Sequence, residues 1–174
     1  MLRRGGLRTR IANLTRRVID DRTFGILLVD ERSGELEMRV AGRYGDKVTV
    51  PRVKLGEGIV GYAALHQEAV NVPDVSADPR YVKVVDDARS ELAIPLMLQD
   101  RCIGVFDLES PELDAFSKSH VDILTLLASQ AAVAIENARL YEKIRSNEKR
   151  LEKEIRFAQR VQAALLPVEL PKRQ

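Results

Sequence analysis

The sequence is poor in the residues on which several classes of protein depend. It contains one cysteine, Cys102, so no disulfide can form within the chain. Tryptophan is absent and aromatic residues make up 5% of the chain, which argues against sugar binding and against stacking platforms for nucleic acid. The two histidines, His66 and His120, lie too far from Cys102 and from each other in sequence to indicate a metal cluster.

Long hydrophobic runs and a strong net charge are also missing. No stretch approaches the roughly 18 apolar residues of a membrane span, and the arginine-rich N-terminus is followed by no apolar signal segment. The net charge is +2 at pH 7, and an N-terminal excess of arginine is typical of a solvated helix face. We therefore expect a cytoplasmic location, with no binding to membranes or nucleic acid.

The first third of the chain has the pattern of a helix followed by a hairpin. Apolar residues recur at helical spacing over 7–19, which predicts a helix. The apolar run 24–29 and the alternating segment 35–42 predict two antiparallel strands joined by a turn at Ser33-Gly34. A shorter strand is expected at 48–53, at an edge or with a bulge because it contains proline.

The middle of the chain predicts a short helix, a long connection and a second hairpin. Residues 56–61 read GEGIVG, which matches the GxGxxG string, but no buried parallel strand precedes it, so the glycines are expected to form a turn at a helix entrance. Residues 71–90 are rich in Pro, Asp and Ser and predict a loop long enough to carry function. Strands are expected at 91–98 and 101–108.

A single long helix is predicted after Ser117, because no Pro or Gly appears again before Pro167. Its apolar residues follow a heptad pattern with a phase shift near Asn147, and Asn137 at a core position favours a parallel homodimer. The alternative is that the first half, to about Ala134, packs on the domain's own sheet, and both can hold. The predicted dimer contacts are Leu126, Val133, Asn137, Leu140, Ile144, Leu151 and Ile155.

Four segments, taken in order, resemble the GAF domain family over about residues 10–142. They read GILLVDERSGELEMRVAG, LGEGIVGYAALHQEAVNVPDVSADPRY, ELAIPLMLQDRCIGVFDLES and AFSKSHVDILTLLASQAAVAIENARLYE. The resemblance implies an α+β fold, with an antiparallel sheet of five or six strands, helices on both sides and a long C-terminal coiled-coil helix. It also implies a ligand pocket under the connection before Glu91, lined by Ile59, Val60, Tyr62, Tyr81, Arg89, Glu91 and Leu92. Arg89 would pair with an anion and Tyr81 would stack on or cap the ligand.

The sequence departs from two ligand-binding branches of that family. The Asn-Lys, Phe and Asp-Glu signature of members that bind cyclic nucleotides has no counterpart, since Asn71 precedes Val72 and the acidic pair is Asp86-Asp87. Members that bind bilins carry a cysteine beside a histidine in the long connection, and 71–90 has no cysteine. We therefore expect an unidentified small molecule or none.

The segment 154–167, EIRFAQRVQAALLP, resembles the helix that opens bacterial serine/threonine phosphatases of the SpoIIE/RsbU type. The division that this implies is an N-terminal helix (1–21), a GAF-like sensor (22–140), a coiled-coil signalling helix (141–167) and the start of a phosphatase domain (168–174). The metal-holding aspartates of that family would lie beyond Gln174, so we expect neither a metal nor catalysis in this chain. The alternatives are a ligand-free dimerisation scaffold, or a sensor for a histidine kinase or diguanylate cyclase.

Overall fold

The computed structural model describes residues 23–42 and 52–165. The predicted N-terminal helix at 7–19, most of the predicted strand at 48–53 and the segment 168–174 lie outside the described residues. The chain divides into two compact units, Met1–Val133 and Ala134–Gln174.

The first unit contains a five-stranded sheet with the spatial order β2-β1-β5-β4-β3, in which every pairing is antiparallel. Its strands are β1 (Thr23–Val29), β2 (Leu36–Gly42), β3 (Val70–Val72), β4 (Ser90–Leu98) and β5 (Arg101–Ser110). Two helices are described, α1 (Gly58–His66) and α2 (Lys118–Leu165). The predicted α+β fold, with its antiparallel sheet and long C-terminal helix, is confirmed.

Both predicted hairpins are present. The turn between β1 and β2 is fixed by Asp30, whose Oδ1 accepts hydrogen bonds from the backbone N–H groups of Arg32 and Ser33 at 3.0 Å. Gly34 completes this turn with a φ of 72°, a conformation that glycine adopts readily. The turn between β4 and β5 falls at Gln99 and Asp100, as the sequence predicts.

The strand β3 was not predicted, because two of its three residues lie at the start of the segment 71–90, which the sequence predicts as a loop. It pairs with β4, with Val70 opposite Ala93 and Val72 opposite Glu91. A strand is predicted at 48–53, and only its last two residues are described. One of them, Val53, forms an isolated antiparallel β-bridge with Leu36. The long connection therefore begins at Pro73, after β3.

The two faces of the sheet carry different sets of side chains, since successive residues of a strand alternate between faces. One face holds Leu27, Ala93 and Val105, which form a buried core cluster with Ile59 and Ala63 of α1. The opposite face is also buried, and the rings of Phe24 and Phe106 meet there edge to face with centroids 5.4 Å apart. The face under α1 is the one on which the functional side chains lie.

The glycines before α1 form the predicted turn at its entrance. Gly56 and Gly58 have φ values of 88° and 68°, which L-residues with side chains rarely adopt. Gly61 lies one turn into α1, where a Cβ would overlap the carbonyl oxygen of Lys54. The GEGIVG string is therefore explained by backbone conformation and close packing.

Substitution of Gly61 by alanine is expected to destabilise the protein, although alanine is the better helix former. The helix preference would contribute up to about 1 kcal/mol in favour of alanine. The overlap with Lys54 requires backbone movement, and we expect a net loss of about 1–3 kcal/mol in the free energy of unfolding. Urea denaturation measures it, with Ser146→Ala on the exposed part of α2 as a control expected to change stability by less than about 0.5 kcal/mol. A Gly61→Ala variant as stable as wild type would contradict the packing described.

The helix α2 begins where the sequence predicts. The backbone N–H of His120 donates to Ser117 Oγ at 3.3 Å, and the backbone N–H of Ser117 donates to His120 Nδ1 at 3.3 Å. This reciprocal pair has the form of a capping box, with histidine in the position usually held by glutamate or glutamine. The helix is continuous for 48 residues.

Helix α2 has a buried stripe in its first turns and exposed apolar residues along its length. Leu124, Ala128 and Ala132 are buried within the first compact unit. The apolar residues of the predicted heptad seam are between 48% and 65% exposed, and they are Leu126, Val133, Leu140, Ile144, Leu151 and Ile155. Asn137 is also exposed.

By length and composition alone, α2 is also apolar enough between Lys118 and Ala163 to cross a membrane. This differs from the sequence-based expectation that no stretch approaches the apolar length of a membrane span. Core helices of soluble domains pass the same test, and a single such helix indicates little. The finding is therefore weak evidence for a membrane span.

Candidate functional site

Three acidic side chains lie together on the face of the sheet under α1. Glu91 of β4 is directly opposite Glu109 of β5, and Asp107 is two residues from Glu109 and therefore on the same face. Glu91 is 4% exposed, Glu109 is 3% exposed and Asp107 is 8% exposed, so all three residues are buried. We call Glu91, Asp107 and Glu109 the acid cluster.

The connection between β3 and β4 contributes Tyr81 to this site. The Tyr81 hydroxyl donates a hydrogen bond to Glu109 Oε1 at 3.5 Å. Tyr81 also packs against the apolar core cluster. Burial, followed by the nearby carboxylates, raises the pKa of Tyr81, which therefore stays protonated and can donate to a carboxylate.

The same connection is fixed by local hydrogen bonds. Asp74 accepts hydrogen bonds from the Ser76 hydroxyl at 2.6 Å and from the Ser76 backbone N–H at 2.9 Å. The backbone N–H of Val75 donates to the carbonyl of Arg89 at 3.0 Å, which holds the two ends of the connection together. The acids at Asp74 and Asp78 thus take the turn-forming roles expected of such residues.

A chain of side-chain contacts joins the connection to α1. Arg80 binds both carboxylate oxygens of Asp78, at 3.0 Å and 2.6 Å. Its guanidinium lies over the ring of Tyr62, 4.5 Å from the centroid, and Tyr62 stacks on His66 at 3.9 Å. The hydrogen bond from Arg80 lowers the pKa of Asp78. These contacts hold the residues before Tyr81 against the helix.

The electrostatics of the acid cluster disfavour full ionisation. Burial, and then the charges of Asp107 and Glu109, raise the pKa of Glu91 well above its usual range, although Arg80 opposes this. Burial and the charge of Asp107 raise the pKa of Glu109 to about 8, against the hydrogen bond from Tyr81. The cluster therefore retains protons near neutral pH unless a positive charge enters.

One carboxylate oxygen of the cluster lacks a hydrogen bond. Glu109 Oε2 is buried and has no hydrogen-bond partner within 23–42 and 52–165. A buried polar atom without a partner costs about 1–3 kcal/mol, and a ligand that donates a hydrogen bond would recover part of this. Within the same residues no group of three or more His, Cys, Asp and Glu is arranged to hold a metal. The unpartnered oxygen of Glu109 can accept a hydrogen bond from a positively charged donor.

Most of the predicted lining residues come together on this face. Glu91 belongs to the acid cluster, and the others either form or contact the adjacent apolar core cluster. These others are Ile59, Val60, Tyr62 and Tyr81.

Two predicted lining residues lie elsewhere. Leu92 follows Glu91 in β4 and therefore points to the opposite face, where it is fully buried opposite Leu108. Arg89 is exposed, and its backbone N–H and carbonyl bind Ser110 and Val75. The structure does not bring either side chain to the acid cluster.

Three residues of the site, Asp107, Glu109 and Arg80, were not predicted from the sequence. A signal for the first two was present, because acids two residues apart in an otherwise apolar strand must share one face. Their position opposite Glu91 depends on strand register, which the sequence did not supply. Arg80 could not be predicted, because its contact is with Tyr62, which lies 18 positions earlier in the sequence and in another element.

Cys102 is half-buried and packs against the core cluster. Its Sγ lies 3.0 Å from the carbonyl oxygen of Gly104. Burial raises the pKa of the thiol, which disfavours the reactive thiolate.

Comparison with known proteins places this geometry in context. A family model described as "GAF domain" matches residues 7–136. The "Probable 3',5'-cyclic phosphodiesterase" of Caenorhabditis elegans is 24% identical over 156 residues, which cover 81% of this chain and 21% of the phosphodiesterase. The chain thus spans about a fifth of that relative.

Two solved structures have similar folds. The free methionine-R-sulfoxide reductase of Neisseria meningitidis, solved in complex with its substrate, is 28% identical, with a TM-score of 0.69 and coverage of 80% of this chain and 83% of the reductase. The GAF domain of a phosphoenolpyruvate-protein phosphotransferase from Coxiella burnetii is 23% identical, with a TM-score of 0.71 and coverage of 80% and 85%. The second likeness shows the fold alone.

Proposed function

Because the chain belongs to the GAF domain family, we propose that it is a sensor domain whose acid cluster binds a small molecule bearing a positively charged amine. GAF domains are regulatory sensor domains and occur in phosphodiesterases and kinases. The observation that carries the proposal is the burial of Glu91, Asp107 and Glu109 on one face, with a hydroxyl donor at Tyr81. Convergent polar groups beside an apolar cluster are typical of a ligand site.

An α-amino acid or a related amine fits this site best. An ammonium group carries one positive charge and several N–H donors, which match buried carboxylates and the unpartnered Oε2 of Glu109. The apolar residues beside the cluster, such as Val60 and Tyr62, would contact the ligand's side chain. The Neisseria meningitidis relative is named for a free amino-acid substrate, methionine-R-sulfoxide, which supports this class of ligand.

The proposed domain binds its ligand but does not convert it chemically. Reducing a sulfoxide requires electrons, which protein thiols supply when they are oxidised to a sulfenic acid or a disulfide. This chain has one cysteine, Cys102, and burial disfavours its thiolate. The relatives include a reductase, so the distinction from an enzyme is part of the proposal and needs its own assay.

The output that we propose is control of a downstream serine/threonine phosphatase in a bacterial cytoplasm. It rests on the likeness of 154–167 to the opening helix of such phosphatases and on the exposed heptad seam of α2. In this proposal the chain is a parallel homodimer, and the ligand shifts that dimer between two arrangements by binding one more tightly. The domain division given above, with a sensor at 22–140 and a signalling helix at 141–167, belongs to the same proposal.

Calorimetric titration with L-methionine-R-sulfoxide tests the binding proposal. Saturable binding of this amine is expected, and N-acetyl-L-methionine-R-sulfoxide, which lacks the positive charge, should bind at least about tenfold more weakly because a charge-assisted hydrogen bond contributes roughly 1.5–3 kcal/mol. Equal binding of the two would contradict recognition through the acid cluster. Turnover assayed with a thiol reductant would contradict binding without catalysis.

A ligand-free dimerisation scaffold is the second candidate, because the apolar part of the site is well filled. Ile59 is 2% exposed and Tyr81 packs against the same cluster. A scaffold would show no binding of any amine while its dimer remained intact.

A further inference from the structure

Glu91 and Glu109 face each other across the β4–β5 ladder on the buried face of the sheet. In an antiparallel pair, residues directly opposite have Cβ atoms about 4.5–5.5 Å apart, so the two carboxyl groups are close neighbours. They are 4% and 3% exposed, so little water reaches them to screen their charges. Two glutamates in this arrangement cannot both be ionised without a compensating cation.

Among the described residues, the groups around the pair supply little positive charge to it. Arg80 acts on Glu91, but both of its short carboxylate hydrogen bonds go to Asp78. The charged neighbours that act on Glu109 are acids, Asp107 and Asp87. In the part of the chain that the structure describes, the titratable or charged groups that act on the pair are Asp107 from β5, and Asp78, Arg80, Tyr81 and Asp87 from the connection before β4.

We propose that the ligand-free site holds protons on Glu91 and Glu109, and that a cationic ligand enters by releasing at least one of them. The site then responds to pH as well as to its ligand, because the proton and the cation compete for the same carboxylates. The raised pKa of Glu109, at about 8, agrees with this. The proposal has two halves, proton retention in the ligand-free site and proton release on ligand binding. Only the second half rests on the proposed function, since proton retention is a property of the protein alone.

The proton-retention half predicts that stability falls as pH rises. An acid whose pKa is raised on folding binds more protons in the folded state than in the unfolded state. Its contribution to stability is complete below the unfolded value of about 4.3 and is lost as pH rises through the folded pKa. The equilibrium constant for unfolding should therefore increase by up to about tenfold per pH unit between about pH 5.5 and pH 7.5 from Glu109 alone.

Urea unfolding of ligand-free protein across this range tests the first half. Glu109→Gln, which imitates the protonated carboxyl, should reduce the pH slope, whereas the exposed Glu112→Gln should retain the slope of wild type. Identical slopes in all three proteins would overturn the proposal. If Glu109→Gln does not fold, ¹³C NMR of the glutamate carboxyl groups in the wild-type protein provides the test. We expect one glutamate carboxyl to titrate above about pH 6.5. Titration of all glutamate carboxyls near their ordinary pKa of about 4.3 would overturn the proposal.

The affinity for L-methionine-R-sulfoxide tests the second half. Release of one proton predicts that affinity rises about tenfold per pH unit between about pH 6 and pH 7.5, where the amine of the probe stays protonated. An affinity independent of pH would overturn proton release even if binding were observed. A probe that fails to bind at any pH, together with a glutamate that titrates near pH 8, would refute the proposed ligand class and leave proton retention established.

Discussion

Replacement of Leu151 and Ile155 by aspartate is expected to convert a dimeric protein into a monomer. Both side chains are more than half exposed on α2, and both lie on the heptad seam. An apolar helix face without a partner is stabilised by a second helix, and each leucine or isoleucine buried there contributes roughly 1.5–3 kcal/mol. With both residues lost from each protomer, the dimer dissociation constant should rise at least about a hundredfold.

Sedimentation equilibrium of the double variant measures this change. The matched control is Ser146→Asp with Gln159→Asp, which adds the same charge at exposed positions off the seam. We expect the control to sediment with the mass of the wild-type dimer. A double variant with unaltered association, or a wild-type protein that is monomeric at all concentrations, would contradict the proposed dimer.

Substitution of Glu91 by glutamine is expected to weaken the binding of L-methionine-R-sulfoxide by roughly ten- to a hundredfold. Glutamine keeps the size of the side chain but removes the negative charge that an ammonium group needs, and a charge-assisted hydrogen bond contributes about 1.5–3 kcal/mol. The fold should tolerate this change, because a neutral side chain at position 91 relieves repulsion from Asp107 and Glu109.

Calorimetry compares this variant with Glu68→Gln, an exposed substitution in the turn after α1 that removes the same charge. Glu68→Gln should bind the probe as wild type does, which separates a local effect from a change in net charge. If Glu91→Gln retained wild-type affinity, Glu91 would have no part in recognising the ligand.

The sequence predicts those parts of the fold that depend on local patterns. The hairpins follow from apolar alternation and from turn residues such as Gly34, and α2 follows from the long stretch without Pro or Gly. The strand β3 escaped prediction because three residues, Val70–Val72, are too few to establish a period. The segment is a strand because it pairs with β4, and such pairing depends on the tertiary structure and not on the local sequence.

The site was predictable only in part, because its electrostatics depend on strand register. Glu91 is implied by the family resemblance, but its partners come from β5, for which the sequence predicts only a strand. The resemblance also implies Leu92 as a lining residue, but strand alternation places Leu92 on the opposite face from Glu91. A family pattern indicates which segments form a site, whereas the structure is needed to show which side chains lie on the same face of the sheet.

A crystal structure of the protein with L-methionine-R-sulfoxide would test the central claim most directly, namely that the acid cluster recognises a ligand through its positive charge. The account predicts the amine nitrogen within about 2.7–2.9 Å of a carboxylate oxygen of Glu91 or Glu109. An acid cluster with no probe bound at saturating concentration, or a probe whose amine points away from both carboxylates, would contradict it.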